Sequence, residues 1–132
     1  MKILIVDDEM VSRKKMEKIM DNFGEYESAN NGDDAIATFK SSYQSGVPFD
    51  MIALDVEMPG KNGTEVLCEF RAIEQEHAVP QHLQAKVLMV TAHSDKDTVL
   101  SSIQAGCDDY IVKPFNKETV MEKLKKLGFS VS

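Results

Sequence analysis

Four short apolar blocks, Ile3–Val6, Met51–Leu54, Val87–Val90 and Tyr110–Val112, recur along the chain, each bounded by charged or turn residues. A block that is apolar at every position has no solvent face. As a strand it must be covered on both sides, which is the situation in a parallel sheet flanked by helices. A fifth segment, Glu25-Tyr26-Glu27-Ser28-Ala29, is polar at alternate positions and suits an edge strand. Between the blocks the apolar period becomes helical. Met16, Ile19, Met20 and Phe23 mark a first helix, and Ile36, Phe39 and Tyr43 a second after the turn Asn30-Asn31-Gly32. Val66, Leu67, Phe70 and Ile73 mark a third, Val99, Leu100 and Ile103 a fourth, and Val120, Met121, Leu124 and Leu127 a fifth. The fourth is expected to open on the capping-box-like Ser94-x-x-Asp97 and to close at Gly106, and the fifth to stop at Gly128.

Five strand-helix units in this order predict an α/β fold, a doubly wound parallel sheet with right-handed crossovers, built as one domain over residues 1–132. The third unit is about a dozen residues longer than such a unit needs. The excess is assigned to the polar stretch Glu74–Ala85, which holds His77, Pro80 and His82 and is read as surface loop rather than as a metal site. The segment Asn62-Gly63-Thr64 has the form of a glycosylation acceptor, but no secretory signal accompanies it.

With 42% hydrophobic and 28% charged residues the chain reads as a soluble globular domain. No apolar run exceeds four residues, which excludes a membrane-spanning helix. Acids at positions 7 to 9 follow the first block too closely for a signal peptide, so a cytoplasmic location is expected. The balance of 15 basic and 22 acidic residues, net −7, argues against nucleic-acid binding. Five Lys against two Glu make residues 113–126 locally basic, read as a solvated helix face. Cys68 and Cys107 form neither a metal spacing nor a disulfide framework and are expected to be small buried hydrophobes.

In open α/β sheets, ligands bind at the carboxyl ends of the strands. The first strand here runs into Asp7-Asp8-Glu9 and the third into Asp55-Val56-Glu57-Met58-Pro59-Gly60. The fourth runs into Thr91-Ala92 and the fifth into Lys113-Pro114-Phe115. Carboxylates gathered in one cleft repel one another, and a hard divalent cation relieves them. Asp7, Asp8 and Asp55 are therefore a candidate Mg²⁺ site. A hydroxyl at Thr91 and an ammonium at Lys113 beside it suit the holding of a phosphoryl group.

This constellation resembles the receiver domain of bacterial two-component response regulators, in particular its chemotaxis-regulator-like members. The resemblance covers essentially the whole chain and rests on Asp7-Asp8, Asp55-x-x-Met58-Pro59-x-x-x-Gly63, Thr91-Ala92 and Lys113-Pro114. It implies a flavodoxin-like three-layer sandwich with strand order 2-1-3-4-5 and a cis Lys113-Pro114 peptide. It makes Asp55 the phosphoacceptor. Asp8, Asp55 and the backbone carbonyl of Glu57 become direct Mg²⁺ ligands, with Asp7 acting through water. Lys113 would pair with a phosphoryl oxygen. Thr91 and the aromatic Tyr110 would form the switch, and Glu57 and His93 would tune the lifetime of the phosphorylated state. Met10, Val11, Pro114 and Phe115 would form the edge that docks a partner.

The partners implied are a sensor histidine kinase or a histidine phosphotransfer protein, and a downstream protein target. The chain would be no enzyme in the ordinary sense, although it would carry self-phosphorylation and self-dephosphorylation chemistry. Two alternatives stand beside the switch. One is a phosphorylation-independent docking module, and the other is the receiver fragment of a larger DNA-binding or enzymatic regulator. The sequence after Gly128 shows no output domain. A flavodoxin-like electron carrier is disfavoured because Asp7-Asp8-Glu9 would repel its phosphate. A Mg²⁺-dependent Asp phosphatase is disfavoured because Glu57 stands where its second Asp is usual, and a P-loop is excluded by the lack of its motif.

Overall fold

The five segments form five parallel strands, β1 (Lys2–Val6), β2 (Glu25–Ala29), β3 (Met51–Asp55), β4 (Lys86–Thr91) and β5 (Asp109–Val112), in the order β2-β1-β3-β4-β5. The computed structural model describes residues 1–93 and 95–131. The helices are α1 (Met10–Met20), α2 (Gly32–Gln44), α3 (Gly63–Glu76), α4 (Lys96–Ala105) and α5 (Lys117–Lys126), and a short 3₁₀ turn spans Gln81–Leu83. The architecture is the expected doubly wound three-layer sandwich, and the Lys113-Pro114 peptide is cis.

Strand periodicity divides the apolar blocks between two cores. Leu4, Val6, Ile52, Leu54, Val87 and Met89 point to the layer containing α2 and α3. Their alternates Ile3, Ile5, Met51, Ala53, Leu88, Val90 and Ile111 point to α1 and α5. Runs that look uniformly apolar are two interleaved faces, each completed by a helix layer. The edge strand β2 is exposed at Glu25, Tyr26, Glu27 and Ser28 and buried only at Ala29.

Four of the five helix starts are fixed by side-chain caps, α1 being the one without. Asn31, Asn62, Asp95 and Asn116 each accept the amide of the residue three further on, at 2.8, 3.0, 3.0 and 2.8 Å. A cap of this kind typically contributes about 1 kcal/mol. Asn62 and Glu65 form a full capping box, so the Asn62-Gly63-Thr64 segment serves the start of α3. The expected opening of α4 at Ser94 lies outside the described residues, and Asp95 is the residue that caps it. Gly106, at φ 103°, closes α4 in the left-handed region, as its position foretold.

Four expectations are corrected. The helical period of α4 is present, but Leu100 and Ile103 are 43% and 55% exposed, because Ser102 is the only buried residue of this helix. Cys68 is exposed and Cys107 half-buried, so neither is a core residue. Phe115 is buried with α1 and α5 and presents no ring to a partner. The stretch Glu74–Ala85 is not all surface loop. Glu74, in the last turn of α3, is a fully buried carboxylate that accepts the Ala85 amide at 2.7 Å and pairs with Arg71 at 2.7 Å. That clamp, joined by Arg71 to Asp108 at 3.1 Å, seats the long third connection against the start of β4.

Gly63 shows why the motif that follows β3 ends in glycine. A Cβ there would stand 2.3 Å from the Asp55 carbonyl oxygen and 2.8 Å from the Val56 Cα, both backbone atoms. The first turn of α3 therefore presses directly on the end of β3, held by the Gly63 amide donating to the Val56 carbonyl at 2.8 Å. Replacing Gly63 by Ala should lower stability by about 1–3 kcal/mol, the range for overpacking against an unyielding neighbour. Urea denaturation of Gly63→Ala measures this, and an unchanged midpoint would show that the backbone contact is not tight.

Candidate functional site

Register and parity bring the acids together. β1 pairs β3 with Val6 beside Leu54, so the next residues, Asp7 and Asp55, are neighbours. Both fall on the α1/α5 side of the sheet, in phase with Ile5 and Ala53. Lys113 continues the phase of Ile111 and reaches the same side. Asp7 and Asp55 are 4% and 1% exposed, and one oxygen from each of Asp7, Asp8 and Asp55 lies within 4.8 Å of the others.

Lys113 is the bridging cation. Its Nζ stands 2.6 Å from Glu9, 3.3 Å from Asp7 and 3.6 Å from Asp55. Burial pulls its ammonium down, but the bond to Glu9 and the charges of Asp55 and Asp7 more than compensate, and its pKa is raised. Glu9, at the exposed mouth of the cleft, has its carboxyl lowered by the hydrogen bond and charge of Lys113. Asp7 accepts the Glu9 amide at 2.9 Å, and Arg13 donates to the Asp7 carbonyl at 3.0 Å.

The remaining carboxylate oxygens are not satisfied. Asp8 has one buried oxygen and Asp55 has two without a hydrogen-bond partner. Burial, then the charge of Asp7, pushes Asp55 up to about 8, against the opposing pull of Lys113. Orphaned buried carboxylate oxygens in one cluster are the donor set that a hard cation takes. The residues present therefore fit Mg²⁺, and the two with unpartnered oxygens are Asp8 and Asp55.

Thr91 belongs to the other side of the sheet. It is in phase with Val87 and Met89, which face α2 and α3. Its hydroxyl donates to Glu57 Oε2 at 2.9 Å, with the His93 carbonyl 3.1 Å away, and accepts the His93 amide at 3.0 Å. The other Glu57 oxygen, Oε1, accepts the Ala92 amide at 2.7 Å. Sequence reasoning assigned Glu57 an expected backbone ligand role and a lifetime-tuning side chain, but not these side-chain bonds. Their signal was the Glu57 carboxylate two residues past Asp55 with free amides at the end of the adjacent strand. The Lys113 bond to Glu9 was missed likewise, although Glu9 continues the acidic run.

The His93 side chain is exposed and makes no hydrogen bond to the acid cluster among the described residues. Tyr110 is half-buried against the α2/α3 core, with Lys123 Nζ 5.4 Å from its ring centroid. Met10 and Val11 are 64% and 80% exposed at the start of α1, and Pro114 is exposed near them in the fold's carboxyl edge, while Phe115 is not.

A doubly wound sheet with an acid cluster and a bridging lysine at the carboxyl ends of its strands places the chain among α/β domains whose polar site lies at that edge. The chain belongs to the response regulator receiver domain family, whose sequence pattern matches residues 3–125. It is similar to the chemotaxis protein CheY-3 of Vibrio cholerae, at 34% identity over 127 residues, 96% of this chain and 91% of that protein. It is also similar to the chemotaxis protein CheY of Pseudomonas aeruginosa, at 33% over 127 residues, 96% and 95% of the two chains. Among solved structures, CheY4 of Vibrio cholerae superposes with a TM-score of 0.77 at 28% identity, covering 95% of this chain and 96% of that one. The receiver domain of the histidine kinase CKI1 from Arabidopsis thaliana, complexed with Mg²⁺ and BeF₃⁻, superposes with a TM-score of 0.79 at 26% identity, covering 95% and 89%.

The pKa of Asp55 has a consequence for stability in metal-free protein. Unfolded, this carboxyl ionises near its ordinary 3.8, whereas in the fold it keeps its proton up to about 8. Between those values the native state binds more protons, so stability falls as pH rises. Asp55→Asn removes this dependence. In chelator-treated protein its advantage in thermal stability over the wild type should be smallest at pH 4, grow up to about pH 8 and then level off. Denaturation profiles of the pair across that range check it, and a pH-independent difference would contradict the assigned burial of charge.

Proposed function

We propose that this chain is a phosphorylation-dependent signalling switch in which Asp55 accepts a phosphoryl group from a phosphohistidine. The donor is a sensor histidine kinase or a histidine phosphotransfer protein, and the whole chain, 1–132, acts as one receiver unit. The observation that carries the reading is the Asp55 carboxylate itself, buried with both oxygens unpartnered, 3.6 Å from the Lys113 ammonium. A receiver of this family signals through phosphorylation.

Asp8 and Asp55 would hold Mg²⁺ with the Glu57 carbonyl, and Asp7 would act through water. Bound there, the ion would neutralise the crowded carboxylates and screen the incoming phosphoryl charge. An Asp55 oxygen attacks phosphorus, and the O–P bond forms as the P–N bond breaks. The imidazole leaves with the bonding pair and takes a proton. Lys113, released from Glu9, pairs with a phosphoryl oxygen. Thr91 turns toward another, and Tyr110 follows on the neighbouring strand. Water later attacks the phosphorus, releases phosphate and restores the carboxylate, with Glu57 and His93 flanking its path. The loop after Thr91 leads into α4, whose Leu100 and Ile103 are exposed, so movement of this loop changes an apolar partner-facing surface. Met10, Val11 and Pro114, exposed at the rim of the acidic cleft, are the proposed contact for the phosphodonor.

Incubation with acetyl phosphate and Mg²⁺ tests the chemistry. Mass spectrometry should find one added phosphoryl group on wild-type protein, located at Asp55, and none on Asp55→Asn. Equal labelling of the variant would remove Asp55 from the role.

A further inference from the structure

The Glu57 carboxylate uses both of its oxygens, one on each of two adjacent donors. Oε2 takes the Thr91 hydroxyl at 2.9 Å and Oε1 takes the Ala92 amide at 2.7 Å. No lysine, arginine or histidine forms an ion pair with Glu57 among the described residues, so its hydrogen bonds go to β4's end alone. The loop they hold is otherwise lightly anchored. The His93 amide closes a turn on the Thr91 oxygen at 3.0 Å, and α4 beyond it buries only Ser102. Thr91 meanwhile lies on the sheet face opposite to Asp55 and Lys113.

We propose that Glu57 is a positioning residue that holds Thr91 and Ala92 at rest on its own side of the sheet by accepting both donors, so that phosphorylation draws these donors from one anion to another. The inference rests on the reading of Asp55 and Thr91 given above and adds the group that must let go. Hydrogen bonds to an ionised acceptor are among the stronger ones. A phosphoryl dianion on Asp55, two residues away, repels the Glu57 carboxylate and competes with it for the Thr91 hydroxyl. The resting and switched arrangements thus differ by which anion the Thr91 loop binds, and that difference is what biases a two-state loop. Lys113 shows the same pattern on the other side of the cleft, where Glu9 holds it at 2.6 Å.

Two side-chain variants separate this arrangement from simple charge repulsion, and both keep the Glu57 backbone carbonyl. Glu57→Ala removes the carboxylate. Glu57→Asp keeps the charge but shortens the reach by one methylene, so it no longer spans to both donors. The first readout needs no phosphoryl chemistry. In unphosphorylated, metal-free protein the Ala92 amide should exchange with solvent about tenfold faster in both variants than in the wild type. The second is binding of beryllofluoride, a phosphoryl analogue, with Mg²⁺ present, which should tighten by about tenfold in both variants. Unchanged Ala92 exchange in Glu57→Ala overturns the proposal. So does a Glu57→Asp variant that matches the wild type in both readouts, because charge alone would then explain the effect. Failure of wild-type protein to bind beryllofluoride at all overturns the proposed function, and the exchange of anions with it. Altered Ala92 exchange without tighter binding overturns only the anion-exchange step.

Discussion

Three carboxylates share the carboxyl edge of this sheet, and the rest of the site follows from their crowding. Asp7 and Asp55 are neighbours because β1 and β3 pair in register and because both residues fall in the same phase of the strand repeat. At the 4.8 Å that encloses an oxygen from each acid, two unit charges repel by on the order of 3 kcal/mol at an effective dielectric of about 20. Lys113 offsets part of this, and burial together with the charge of Asp7 pushes Asp55 up to about 8. A domain built this way stores an electrostatic debt that a divalent cation relieves.

The same geometry explains why Thr91 stands apart from Asp55. A strand sends alternate side chains to opposite faces, so Thr91 cannot join Asp55 and Lys113 without movement of the β4–α4 loop. Glu57 meets the hydroxyl on its own side. Gly63 lets α3 start against the Asp55 carbonyl, which fixes the end of β3 from below. One end of the site is therefore rigid, set by β1, β3 and α3. The other end is held mainly by hydrogen bonds to exposed or half-exposed groups, where α4 buries a single residue. A rigid Asp55 end and a loosely held Thr91 loop are what the proposed switch needs.

Much of the fold was legible because strands buried on both faces leave an unmistakable four-residue apolar run, as in Ile3–Val6 and Val87–Val90. Strand order was not legible from periodicity, which records that a strand is covered but not by which neighbour. That order came through the family resemblance. Periodicity also misjudged α4, since Val99, Leu100 and Ile103 have helical spacing whether their face meets a core or solvent. Phe115 and Cys68 failed for the converse reason, because residue type alone does not tell which side of a helix or loop faces inward. Within the site, Asp7, Asp8, Asp55 and Lys113 were legible from their places after strands. The partners of Glu9, Glu57 and Glu74 were not, since a long carboxylate reaches a donor that only the folded chain brings near.

The stored repulsion is tested most directly by thermal denaturation of the wild type and Asp8→Asn as Mg²⁺ is added to chelator-treated protein. The wild-type midpoint should rise by several degrees with Mg²⁺. Asp8→Asn should melt higher than the wild type without metal, because one of the repelling charges is gone, and should respond little to Mg²⁺. A wild type indifferent to Mg²⁺, or an Asp8→Asn variant that responds as fully, would contradict the account.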